Sequence, residues 1–290
     1  MNGPTLRRHA STLLLAATAA VATAAGAFAG GEAASAWTGD RRAMVRLVGG
    51  TPVGGAPLLA AGVEIRLADG WKTYWRYPGD SGVPPRFDFT GSVNVRAATV
   101  GWPAPMRFED GGGTAIGYSG RVMFPVRVER DDPSRPATLA LSLDYAICER
   151  LCVPATASTS LTLPAGSGGE AAAGNDVAAA LARVPRRAAL GEAGPLAIRA
   201  VRVEGAWPKP RIVVTVAAPP GTVPDLFAEG PTEAWALPVP EPAGAGPDGT
   251  RLFAFVVDGA PPDVDPRGAT VTLTAVAGDA AIEVQITLDR

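Results

Sequence analysis

An all-β protein of two β-sandwich domains, joined by a linker with a short helix, is the fold this sequence predicts. Three observations carry that expectation. Short runs of alternating apolar and polar residues recur along most of the chain, with Gly, Pro and Asp between them. No helical pattern alternates with those runs, as a parallel α/β sheet would require. Gly (35) and Pro (28) are abundant and aromatics sparse, which suits many strands joined by turns and stops short of a disordered composition.

Residues 1–36 are expected to form a secretory signal peptide. Arg7 and Arg8 give a basic start, Ser11–Ala29 is an apolar Leu/Ala run, and small-residue sites follow at Ala27-Phe28-Ala29 and Ala34-Ser35-Ala36. The weak hydrophobicity of the run favours cleavage over a retained anchor, and the sequence leaves open which site is cut. The cleaved protein belongs in an oxidising compartment, the bacterial periplasm. No later stretch reaches the ~20 apolar residues of a spanning helix, so no membrane insertion is expected after cleavage.

Residues 37–164 read as a first sandwich. "MVRLVGG", "AAGVEIRLADGWKTYWRYPG", "RVMFPVRVER", "ATLALSLDYAIC" and "TASTSLTLP" are its alternating runs. Pro84, Pro85, Pro103 and Pro105 belong to edges or crossing loops, because Pro cannot donate to an interior ladder. Residues 165–195 form the linker, with a helix capped by Asn175 or Asp176 and running to about Val184, before Pro185. Residues 196–290 return to alternation, from "LAIRAVRVEG" to "AIEVQITLDR", and make a second sandwich of six strands. That half has no Cys and no His, so it reads as a structural or docking module.

Formal charge is −2 with both signs scattered, which argues against nucleic acid and anionic membrane surfaces. The one histidine, His9, lies inside the expected signal peptide. Ser-His-Asp and Cys-His catalysis are thereby excluded, as is every His-containing metal site.

Chemistry is left to "LDYAICERLCVP", which holds both cysteines, Cys148 and Cys152. If strands flank the pair, Glu149-Arg150-Leu151 form a hairpin loop and the cysteines oppose each other across its mouth, within disulfide range. A structural staple is one reading, although so short a loop removes little denatured-state entropy. A redox pair is the second. A copper clamp is the third, with Met44, Met106 or Met123 adding thioethers. Arg150 would favour a thiolate here and Glu149 would oppose it.

Three blocks, in order, narrow the choice: "ADGWKTYWRYPGDSGVPPRFDF", "VGWPAPMRFEDGGGTAIGYSGRVMFPVRV" and "LDYAICERLCVP". Over about residues 40–164 they resemble the N-terminal periplasmic domain of DsbD and ScsB thiol-disulfide reductases. The resemblance implies an immunoglobulin-like sandwich with a Cys148–Cys152 disulfide as redox centre and no cofactor. It makes Cys152 the sulfur that forms mixed disulfides and Cys148 the resolving thiol. It also implies that Ile116–Gly120 is a cap loop shielding the pair through Tyr118, with Tyr74 and Trp75 beside the cysteines. Partners would be thioredoxin-like periplasmic proteins and a separate membrane electron-transfer hub, DsbD- or CcdA-like, for which the second sandwich is a docking surface. Protein-disulfide reduction would then be the activity, in settings such as cytochrome c biogenesis or copper tolerance. The alternative function is a non-catalytic binding module, copper-handling or scaffold, with a structural disulfide.

Overall fold

Alternation along the strands decides where the apolar side chains go. The computed structural model describes residues 1, 3, 33–52, 58–165 and 174–289, so most of the expected signal peptide lies outside the described residues. The first eleven strands are β1 (Thr38–Gly39), β2 (Ala43–Pro52), β3 (Leu58–Leu67), β4 (Lys72–Gly79), β5 (Arg86–Asp88), β6 (Ala97–Val100), β7 (Met106–Asp110), β8 (Gly113–Ser119), β9 (Arg121–Glu129), β10 (Ala137–Cys148) and β11 (Cys152–Leu163). They form two sheets, ordered β1-β2-β3-β9-β6 and β11-β10-β4-β8-β7, with β5 also paired to β10. Every second residue points between them. Val63 and Ile65 of β3, Phe124, Val126 and Val128 of β9, and Leu139, Leu141 and Leu143 of β10 fill that space.

A single α-helix among the described residues, α1 (Gly174–Ala182), lies on the outer face of the first of these sheets. Val177 and Ala180 pack there against Val48, Ala60 and Met123. Asn175 and Asp176 fall inside the first turn, not ahead of it, and the Asp176 carboxylate is drawn to Arg121 at 2.6 Å. The helix stops at Ala182, short of Val184, because Arg183 and Val184 bond back three residues, to Ala180 and Leu181.

The remaining strands are β12 (Arg186–Arg187), β13 (Ala197–Glu204), β14 (Arg211–Ala217), β15 (Asp225–Glu229), β16 (Glu241–Ala245), β17 (Arg251–Val256), β18 (Thr270–Ala277) and β19 (Ala280–Thr287). They make sheets ordered β12-β19-β18-β15 and β13-β14-β17-β16. Ile212, Val214, Phe253, Phe255, Leu273 and Val284 meet between them. β12, within the stretch expected to be linker, pairs in parallel with β19. The fold is all-β and immunoglobulin-like in its sandwich architecture. The two cores are not isolated, since Phe227 and Val239 of the second half join the core of the first.

Candidate functional site: a cysteine pair at a hairpin mouth

The β10–β11 hairpin pairs without a break from Ala137↔Leu163 to Cys148↔Cys152. The two cysteines are therefore directly opposed at its mouth, with Cα atoms 4.2 Å apart and the sulfurs joined as a disulfide. Their environments differ. Cys148 is 2% exposed, among Tyr74, Phe108, Ala115 and Ala146, whereas Cys152 is exposed beside the projecting Leu151. β11 is the sheet edge, which is why Pro154 is tolerated two residues from Cys152.

β4 runs alongside and holds the pair from below. Thr73 is opposite Ile147 and donates its hydroxyl to the Ala146 carbonyl at 2.9 Å. Tyr74 then points at the sulfurs: its Oη lies 2.7 Å from Cys148 Sγ and 3.0 Å from Cys152 Sγ. The same hydroxyl donates to Asp110 Oδ2 at 2.5 Å. Gly82, at φ +111°, passes so close over the Tyr74 ring that an added Cβ would sit 2.3 Å from it. Burial first, then the hydrogen bond and charge of Asp110, push the Tyr74 phenol far above its ordinary range. It therefore stays protonated and acts as a donor.

Asp110 closes the site from the β7–β8 turn, Asp110-Gly111-Gly112-Gly113. Its Oδ2 is 3.7 Å from Cys152 Sγ, so a carboxylate faces the exposed sulfur. Asp110 and the two cysteines bring three possible ligand atoms within 4.8 Å of one another. The Tyr74 hydroxyl, however, is within hydrogen-bond reach of all three and takes the position a cation would need. The thioethers considered as further ligands lie elsewhere: Met123 packs beneath α1, and Met106 Sδ accepts from Ser119 Oγ at 3.5 Å. Met44 is on β2, in the other sheet.

Of the aromatics expected here, the structure brings only Tyr74 to the pair. Trp75 is on the opposite face of β4, fully buried, with its ring 5.9 Å from Phe227. Adjacent residues of a strand face opposite ways, so Tyr74 and Trp75 cannot both face the sulfurs. Tyr118 is also turned away. It is buried against Phe124, at 5.2 Å between ring centroids, and donates to the Pro103 carbonyl at 2.8 Å. "IGYSG" is accordingly the end of β8 and its turn, not a cap over the cysteines. The residue that does approach them is Asp110, at the head of the glycine turn. Asp110 and Phe108 are site residues that sequence reasoning missed; an acidic residue leading into Gly-Gly-Gly between two strand-like runs was the available signal.

Fold and site together define a class: a two-sandwich, immunoglobulin-like protein with a disulfide at an exposed hairpin mouth. Residues 59–164 match the family model described as thiol:disulfide interchange protein DsbD, N-terminal. The structure is similar to the crystal structure of the N-terminal periplasmic domain of ScsB from Proteus mirabilis, with a TM-score of 0.67 and 22% sequence identity. That likeness covers 89% of this chain and 99% of the ScsB domain, and it shows the shared fold. No curated protein matches the sequence. The family match and the Cys148–Cys152 disulfide support thiol-disulfide interchange at the level of the family. No helix among the described residues is long and apolar enough to cross a membrane.

Proposed function

We propose that this protein is a periplasmic thiol-disulfide relay, passing two electrons from a donor to oxidised periplasmic proteins through Cys148 and Cys152. The observation that carries the reading is the asymmetry of the pair: one sulfur exposed, the other buried directly opposite it. In the dithiol form, the Cys152 thiolate attacks one sulfur of a partner disulfide. A mixed disulfide forms, and the partner's other sulfur leaves as a thiolate that takes a proton from water. Cys148, shielded from solvent and adjacent to Cys152, loses its proton and attacks the Cys152 sulfur. The partner departs with both sulfurs reduced, and the Cys148–Cys152 disulfide is restored.

Reduction runs the same path backwards, with a donor dithiol attacking exposed Cys152. The compartment is kept oxidising, so the pair must be recharged by a reduced donor. A membrane electron-transfer hub or a thioredoxin-like carrier has the required chemistry. Tyr74, neutral and within reach of both sulfurs, donates its proton to Asp110 and so damps the carboxylate charge beside the attacking sulfur.

Trapping tests the reading. Cys148→Ser leaves the attacking sulfur and removes the resolving one, so covalent partner complexes should accumulate on non-reducing gels. Cys152→Ser should trap few. Equal trapping by both variants, or none by either, would falsify the assignment of roles.

A further inference from the structure

The second sandwich meets the first through the two strands that frame the cysteine pair. On β4, Tyr74 faces the sulfurs, and two residues on Arg76 spans Glu229, at 2.8 and 2.7 Å, and Glu283. Tyr77 Oη donates to the Leu237 carbonyl at 2.9 Å. On β7, Asp110 faces Cys152, and three residues earlier Arg107 reaches across. Its guanidinium forks onto Asp225 at 3.2 and 2.7 Å, meets Glu241 at 2.8 Å and donates to the Pro240 carbonyl at 2.7 Å. The Arg107 side chain is only 22% exposed, so this bidentate pair is better shielded than an ordinary surface salt bridge.

β7 depends on such an anchor. It is the edge of its sheet, bonded only to β8, and it runs into Gly111 and Gly112, around which nothing packs. An edge strand ending in a free glycine turn opens locally at little cost. The turn's other ties join Asp80 to Thr114, at 3.0 and 2.9 Å, and hold its β8 side. Ser81 reaches the Asp110 carboxylate only at 3.4 Å. On the β7 side the Tyr74 hydroxyl grips the Asp110 carboxylate at 2.5 Å and Phe108 packs beside Cys148, while Arg107 is what ties the strand to the second sandwich.

We propose that Arg107 is a positioning residue through which the second sandwich holds the Asp110 carboxylate beside Cys152, and so sets how readily that sulfur attacks. The inference rests on the relay reading for its biological meaning, but its chemistry concerns the reduced pair alone. The second sandwich is then part of the redox apparatus, whatever else docks on it. Loosening β7 lets the carboxylate drift from Cys152, and the opposing charge weakens with distance.

The test uses the full-length, reduced protein and the initial rate of Cys152 alkylation by iodoacetamide at neutral pH, read by peptide mass. Arg107→Met and Asp225→Asn should each raise the rate about threefold as the carboxylate moves off. In an Asp110→Asn background neither should change it further, because the group being positioned no longer carries charge. A purely structural weakening would lower the melting temperature without that dependence on Asp110. Wild-type rates in folded Arg107→Met and Asp225→Asn overturn the proposal, as does an equal increment retained with Asp110→Asn, or an Asp110→Asn protein that alkylates like wild type. Should Arg107→Met not fold, Asp225→Asn and Glu241→Gln probe the same contact with Arg107 in place. The relay reading is judged separately by trapping with Cys148→Ser, in which this interface is unaltered.

Discussion

Replacing Asp110 by Asn should make the reduced Cys152 a faster nucleophile. The carboxylate oxygen is 3.7 Å from the sulfur. Two unit charges about 4 Å apart repel by ~1 kcal/mol in water and by ~4 kcal/mol at the effective dielectric of a protein surface. Cys152 is exposed, which places the pair near the watery end of that range. The Tyr74 hydroxyl bonded to the same oxygen spreads its charge further. About 1 kcal/mol is then the net opposition to charge on sulfur, equivalent to about fivefold in thiolate population. The assay is the iodoacetamide rate on reduced protein at neutral pH, with peptide mapping to separate Cys152 from buried Cys148. Asparagine keeps an oxygen for Tyr74, so the geometry is conserved while the charge is lost. An unchanged rate would show that the carboxylate does not act on the sulfur. A slower rate would show that Asp110 assists the attack as a proton acceptor.

Tyr74→Phe should act in the other direction, slowing Cys152 alkylation about threefold. It removes the one hydroxyl proton that the Asp110 carboxylate shares and leaves that charge unscreened beside the sulfur; a faster or equal rate refutes that role. Stability should fall in alkali. Burial pushes the Tyr74, Tyr77 and Tyr118 phenols above their ordinary 10.0, and that of Tyr145 up to about 12. The unfolded chain therefore releases these protons first, so the contribution is whole below about pH 10 and is lost as pH climbs through the folded values. Thermal melting from about pH 9 to 11.5 should show this decline, lessened in Tyr145→Phe, and a flat profile counts against it. Finally, if residues 1–36 hold a cleaved signal peptide, the cut should fall after Ala27-Phe28-Ala29 and leave Gly30 as the first residue. Gly49 N donates to the Ala33 carbonyl at 2.8 Å, Ser35 N to the Leu47 carbonyl at 2.8 Å, and Leu47 N to Ser35 Oγ at 2.9 Å. A cut after Ala36 would strip that pairing from β2; intact mass with N-terminal sequencing should find Gly30, and a Trp37 start or an uncut chain would contradict this.

Much of this architecture could be read locally. Strand alternation and turn residues locate β2, β3, β4, β9, β10 and β11 because both signals lie within a few residues. The opposed cysteines follow from one short hairpin. What sequence could not supply was facing. Tyr74 and Trp75 are neighbours with equal claims to the site, and only the pairing of β4 between β10 and β8 turns one toward the sulfurs. Tyr118 departs from expectation for the same reason: its motif reads as a loop, but pairing with Thr73 makes it strand, aimed at the core. Asp110 is 42 residues from Cys152 and reaches it only through the strand order β10-β4-β8-β7. The contacts of Arg76 and Arg107 with the second sandwich span more than 100 positions and left no local trace.

The relay account is tested most directly by the midpoint potential of the wild-type Cys148/Cys152 couple, titrated against glutathione buffers and read by thiol labelling. Structural disulfides lie below about −300 mV and resist the glutathione pool. The account expects a midpoint clearly above that value, with the pair cycling reversibly between disulfide and dithiol while the sandwiches stay folded. A midpoint well below about −300 mV, or reduction only on unfolding, would contradict it and make Cys148–Cys152 a staple.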